Sequence, residues 1–245
     1  MDKLENNKKY AESWWGRQSG IRRFFSFSER YHCHNSIKLM ADCDNKVIAD
    51  IGFGSGMLYD KLKSRVKKYI GYDISINNVL DFNDKISILS DSYASLINNK
   101  TSKTDASDES FDCVVCSNVI EHVPDEKSLI DEIHRILKVR GKLVLTVPIN
   151  EETLDVQNHL RKYTPGYVDK ILNEKFIKIY SFESDAISLL MCKFALKKGL
   201  LNQAMKKLII VAGSLLPIPI VEVFNSVMVK SVLKNGQYVA LYIKK

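Results

Sequence analysis

From Lys46 onward, short apolar runs alternate with stretches whose apolar positions recur at helical spacing, the pattern of a parallel sheet with crossover helices. It predicts strands over 46–51, 67–72, 86–90, 111–117 and 141–147, and helices over 56–65, 75–84, 125–138 and 164–174. In the third helix Leu129, Ile130, Ile133, Ile136 and Leu137 fall on one face, with Gly141 as the stop beyond it. A sixth strand over 176–182 and a last one, "QYVALYIKK", complete the α/β set. Residues 1–45 read as a helical cap with Trp14, Trp15, Phe24, Phe25 and Phe27 as anchors, and 46–245 as the main domain. Within that domain 184–233 is a mostly apolar helical insertion, and "NNKTSKTDASDES" (98–110) is a polar flexible loop without core-forming content.

Charge modifies this picture in one place. The chain carries +7 over 245 residues, yet from Cys192 onward nine lysines face the single acid Glu222, a net +8, leaving the rest at −1. The basic balance therefore belongs to the last fifth rather than to the whole surface, and nucleic acid is a poor expectation for a partner. The polar opening "MDKLENNKKYAES" lacks the apolar stretch of an export signal, and five cysteines show no framework spacing. Both point to reduced thiols in a cytoplasmic setting.

The densest chemistry lies in "ADIGFGSGMLYD", Ala49 to Asp60. Gly52, Gly54 and Gly56 follow a strand and open a helix, so backbone amides can approach a ligand where no side chain intervenes. The dinucleotide fingerprint needs a further glycine where Met57 stands, and the P-loop needs a lysine there; both patterns fail. Asp50 would repel a pyrophosphate but suits a cationic ligand, and S-adenosylmethionine, with its sulfonium and ammonium groups, is one. Asp73 in "YIGYDIS", 21 residues beyond Gly52, can accept from both hydroxyls of a ribose, with Ile74 beside it to cover an adenine face. Asp91 ends "ISILSD", placed to accept from the adenine amino group. Asn118, Glu121 and His122 follow the fourth strand, "FDCVVCSNVIEHV".

This ordered set, above all "SFDCVVCSNVIEHVPDEKSLIDEIHRILKVRGKLVLTVP", resembles the class I S-adenosylmethionine-dependent methyltransferases of small molecules and lipids, and it covers about 46–148. The resemblance implies a Rossmann-like, doubly wound seven-stranded sheet, mostly parallel with an antiparallel last strand. It places Asp50, Gly52, Gly54 and Gly56 around the methionine part of the cofactor, Asp73 on the ribose, Asp91 at the adenine, and Asn118 near the methionine moiety and substrate. "NHLRKYTPGYVDKIL" (158–172) resembles a segment in which His159 and Tyr163 face the substrate. The expected reaction is methyl transfer to a small-molecule or lipid-linked acceptor, at oxygen, with His122 or His159 removing the proton. An NAD-dependent oxidoreductase and a non-catalytic partner subunit of the same fold are the alternatives.

Other clusters carry less. Cys113 and Cys116 point to opposite faces of a strand and cannot share one metal, so they belong to the core. "HCH" at 32–34 with Cys43 lacks a second ligand pair and is expected to be packing or surface histidine; no metal is expected. His134 is expected to be structural. "KKLIIVAGSLLPIPIVEVF" (206–224) holds 14 uncharged residues, Leu208 to Val221, short of the roughly 20 that span a bilayer, and two prolines. Two readings stand for it: a lid over the substrate site, or a peripheral membrane contact drawn to anionic lipid by Lys206, Lys207 and their neighbours.

Overall fold

The computed structural model describes residues 27–86, 90–149, 159–184, 217–220, 222–223 and 236–245. Its elements are α1 (Phe27–Lys38), β1 (Val47–Ile51), α2 (Met57–Leu62), β2 (Lys68–Asp73), α3 (Ile76–Lys85), β3 (Tyr93–Leu96), β4 (Phe111–Ser117), α4 (Glu126–Ile136), β5 (Leu137–Ile149), α5 (Pro165–Leu172), β6 (Phe176–Ser184) and β7 (Gly236–Lys244). The seven strands run β3-β2-β1-β4-β5-β7-β6 across the sheet. β1 pairs in parallel with β2 and β4, and β7 enters antiparallel between β5 and β6. A dinucleotide-binding sheet ends 4-5-6 without an intruding antiparallel strand. The sheet is therefore the doubly wound form expected for a methyltransferase, with its reversed strand inside the edge.

Helices cover both faces. α4 and α5 supply Leu129, Ile130, Ile133, Ile136, Val168 and Leu172 to one layer of the core, which holds Cys116. α2 and α3 supply Leu58, Leu62, Val79 and Phe82 to the other, which holds Cys113 and Cys43. The two strand cysteines thus lie in opposite layers, as the alternation of side chains along a strand requires. His134 packs edge-on against Phe176, a structural place. Ser75, Asp125 and Thr164 cap α3, α4 and α5, each side chain accepting from a first-turn amide.

Three expectations need correction. Gly141 does not stop a helix; α4 ends at Ile136 and β5 begins at once. Residues 138–141 form a bulge there, because Phe111 pairs with Leu137 but Cys113 pairs with Lys142. The third strand is Tyr93–Leu96 rather than 86–90. Nor is 98–110 a free loop, because the wholly buried Glu132 of α4 accepts from Lys103 Nζ, Thr104 N, Thr104 Oγ1 and Arg135. Burial alone would push that carboxyl up, but these donors outweigh it and hold it at about 2. A polar loop can be pinned by a buried carboxylate in place of apolar contacts.

Residues 1–26 of the expected cap and nearly all of the 184–233 insertion lie outside the described residues. No helix among the described residues is long and apolar enough to cross a membrane.

Candidate active site

Where β1 ends, the chain must turn sharply to enter α2, and three glycines do this with left-handed backbone: Gly52 at φ 71°, Gly54 at 55° and Gly56 at 73°. Their roles differ. A Cβ on Gly52 would lie 2.2 Å from Val119 Cγ2, so that glycine exists to let the turn after β4 come close. A Cβ on Gly54 would meet nothing nearer than Gly52 O at 3.9 Å. The space over Gly54 is open, a cradle that a side chain would fill. The amides of the three glycines are already bonded, to Tyr72 O, Asp73 and Phe53 O, so the loop offers a ligand open space rather than free donors.

Asp73 ties this loop to the end of β2. Its Oδ2 accepts from Gly54 N at 3.1 Å and its Oδ1 from Ser75 N at 2.9 Å. Burial pushes its carboxyl up, opposed by donation from Ser75, Asn78, Gly54 and Ile74. Asp50, at the end of β1, is 4% exposed and accepts from Tyr69 Oη at 2.5 Å. Burial lifts it to about 7, with Tyr69 pulling down and the neighbouring Asp73 charge adding to the rise. Two buried acids beside one loop form a site of negative potential, suited to a cation. Ile74 follows Asp73 half-buried at the same edge.

Asn118 leaves β4 in left-handed conformation, φ 54°, with its N–H on Thr146 O. Its side chain joins Gln237 Nε2 at 2.8 Å to His32 Nδ1 at 2.9 Å. Just beyond, Ile120–His122 forms a single 3-10 turn. The segment after residue 158 is laid against it: Leu160 N donates to Glu121 O, and the Arg161 guanidinium donates to Val123 O and Pro124 O. His159 is thereby brought edge-on to His122, ring centres 4.9 Å apart. Donor atoms of Glu121, His122 and His159 all lie within 4.8 Å of one another, a nitrogen and carboxylate set of the kind that holds a divalent cation. The sequence reading assigned no metal site, and this cluster is the place where one could be held.

Two expected site residues are not brought here. Asp91 precedes β3 and is exposed; Ile70 pairs with Tyr93, so Asp91 lies at the amino edge of the sheet, away from the glycine loop. The carboxyl edge beside Asp73 is instead occupied by Ile97, whose N–H donates to Asp73 O at 3.0 Å. Tyr163 is 1% exposed, with its hydroxyl on Glu126 Oε2 at 2.7 Å and Ile120 O at 3.3 Å. It supports the turn carrying His122 from below, and burial together with Glu126 pushes its hydroxyl far up, away from any proton-transfer role near neutral pH. Conversely His32, expected to be packing or surface histidine, sits at the site through Asn118. No local motif distinguishes it, because its partner is 86 residues away.

Residues 49–145 match the methyltransferase domain family described as "Methyltransferase domain". Among curated relatives, a ubiquinone biosynthesis O-methyltransferase of Dictyostelium discoideum is 26% identical over 202 residues, 72% of this chain and 58% of that protein. An uncharacterised protein of Methanocaldococcus jannaschii is 31% identical over 137 residues, 55% and 56%. The chain thus spans little more than half the length of these relatives. Among solved structures, the N-methyltransferase NodS of Bradyrhizobium japonicum, in complex with S-adenosyl-l-homocysteine, superposes with a TM-score of 0.63 at 14% identity, covering 98% of each chain.

Proposed function

We propose that the chain is a class I methyltransferase, on the match of residues 49–145 to a methyltransferase domain, and that it transfers the methyl group of S-adenosylmethionine to a small-molecule or lipid-linked acceptor, at oxygen. The observation that carries the reading is the open cradle over Gly54, tied to Asp73 and backed by Asp50. When bound, S-adenosylmethionine supplies a methyl group on a cationic sulfur whose leaving group is neutral. The chain's own work is then mainly placement. Gly54 leaves open space for the methionine end, with Gly52 and Gly56 turning the loop beside it and Asn118 on its far side. Asp73 takes the ribose hydroxyls and Ile74 the adenine face. Asp50 contributes negative field from behind the loop. His122 and His159, edge to edge, are the groups that can take a hydroxyl proton near neutral pH, which favours an oxygen acceptor.

Titration with S-adenosylmethionine, S-adenosylhomocysteine and NAD tests the cofactor. Binding of the first two and not the third is expected; NAD binding alone would overturn the reading. The pH dependence adds a second check. Asp50 titrates near 7, so at pH 6 it is mostly protonated and at pH 7.5 mostly ionised. A cationic ligand favours the carboxylate, so binding releases a proton and tightens as pH rises through 7, by up to about tenfold per unit below the titration point. Calorimetry with S-adenosylmethionine at pH 6 and 7.5 should show this slope in the wild type and a flat response in Asp50→Asn. A slope kept by the variant would remove Asp50 from the site.

A lipid-linked acceptor is supported by the run at 206–224. Its described part exposes Ile220 and Val223, and Glu222 tethers it to α1 through His34 and Lys38. Most of the run lies outside the described residues; the roles proposed for it are those of a substrate lid and a membrane contact. Flotation with anionic vesicles should carry the protein upward at low salt and less at high salt, with Lys206→Glu plus Lys207→Glu reducing it further. Recovery wholly in the non-floating fraction at every salt concentration would leave the lid alone.

A further inference from the structure

α2 and α3 cover the same face of the sheet, and residues of both line a cavity of about 210 Å³. Phe53, Tyr59 and Phe82 make its apolar wall, with the Phe82 ring centre 5.0 Å from each of the other two. Gly71 of β2 is bare because Phe53 lies on it; an added Cβ would stand 2.6 Å from Phe53 Cδ1. The cavity is distinct from the cradle over Gly54. Neither Gly54 nor Asp73 lines it, and it runs on to Lys63 and Lys85 where the two helices end. Each of these lysines is paired with an acid on its own helix, Lys63 with Asp60 and Lys85 with Asp81, so the rim is balanced in charge. One polar group is set into the apolar wall. Asn78 of α3 is 4% exposed, and its side-chain amide donates to the Asp73 carboxylate. Its Oδ1 has no hydrogen-bond partner among the described residues. A buried acceptor without a donor is costly, and a ligand that brings a donor removes that cost.

We propose that the cavity between α2 and α3 is a second ligand site, selective for an uncharged single-ring aromatic that carries a hydroxyl. The ring packs on Phe53, Tyr59 and Phe82, and the hydroxyl donates to Asn78 Oδ1. Size sets the class: a dry cavity of about 150 Å³ holds a benzene ring, so about 210 Å³ admits one ring with a small substituent. The balanced rim gives no reason for a charge on the ligand, and the lone acceptor asks for one donor. The site stands apart from the cofactor reading; its consequence rests on that reading. A donor on Oδ1 fixes and polarises the Asn78 amide, whose other end holds the acid assigned to the ribose. The phenolic ligand and the cofactor therefore favour each other, by the same factor whichever binds first.

Phenol and toluene are the probes, alike in size and differing in the hydroxyl, with binding to the full chain followed by ligand-observed NMR. Asn78→Leu should weaken phenol roughly tenfold, as for a lost hydrogen bond to a buried group, and leave toluene no weaker. Ile86→Phe, which adds a ring to the cavity wall, should abolish phenol binding while S-adenosylhomocysteine alone binds as to the wild type. It decides the matter where Asn78→Leu fails to fold. Absence of phenol binding to the wild type would overturn the site. So would phenol binding unchanged in Ile86→Phe, or equal weakening of both probes by Asn78→Leu. For the consequence, saturating phenol should tighten S-adenosylhomocysteine by about fivefold, and the reverse titration should give the same factor. If phenol binds as expected and S-adenosylhomocysteine is indifferent to it, the coupling falls and the site stands. If S-adenosylhomocysteine does not bind at all, the cofactor reading fails, and the phenol and toluene arms still judge the site.

Discussion

Gly54→Val should abolish binding of S-adenosylmethionine while the protein still folds. At φ 55° a β-branched residue is strained by roughly 1–2 kcal/mol, a tolerable loss for a domain of ordinary stability. Its Cβ meets no protein atom nearer than 3.9 Å, so the branched side chain projects into the ligand's space rather than into the core. Gly52→Ala makes the contrasting case. There the added methyl collides with Val119 at 2.2 Å and pushes apart the turns after β1 and β4, so thermal stability should fall whether or not ligand is present. Calorimetry and thermal melts on both variants separate the two roles. If Gly54→Val binds S-adenosylmethionine as the wild type does, the cradle is not the cofactor site.

The difference between these neighbouring glycines also marks what a sequence can and cannot disclose. "ADIGFGSG" is legible because strand, turn and helix follow one another locally, and the backbone conformation needed is written in the residues that adopt it. The two acids at the ends of β1 and β2 are legible for the same reason: parallel strands feeding helices bring successive strand ends to one edge. Asp91 fails because its position depends on where a strand ends, and "ISILSDSYASL" offers two overlapping apolar runs. The pairing of Ile70 with Tyr93 selects the later one and sends Asp91 to the opposite edge. Tyr163 fails differently. It stands in the expected segment, but a bridge between Ile149 and Tyr163 turns its ring inward, where Glu126 takes the hydroxyl. His32 carries no local signal at all, since it meets Asn118 only when α1 is laid over strand ends far along the chain.

Asp73→Ala should weaken S-adenosylhomocysteine binding by about 1.5–3 kcal/mol, the range for hydrogen bonds to a charged group. Two effects contribute, and they can be told apart. The carboxylate holds Gly54 N and Ser75 N, so its loss leaves two amides of the loop and of α3 without their acceptor and loosens the cradle. That part lowers the unfolding free energy of the unliganded protein by about 1–3 kcal/mol, the cost of stranding buried donors. The other part is the ribose. Comparing S-adenosylhomocysteine with its 2′,3′-dideoxy analogue isolates it, because both ligands meet the same loosened loop. In the wild type the analogue should bind more weakly by most of the 1.5–3 kcal/mol; in Asp73→Ala the two ligands should bind alike. A penalty for the missing hydroxyls that persists in the variant would take Asp73 off the ribose and leave it as the strut of the glycine loop.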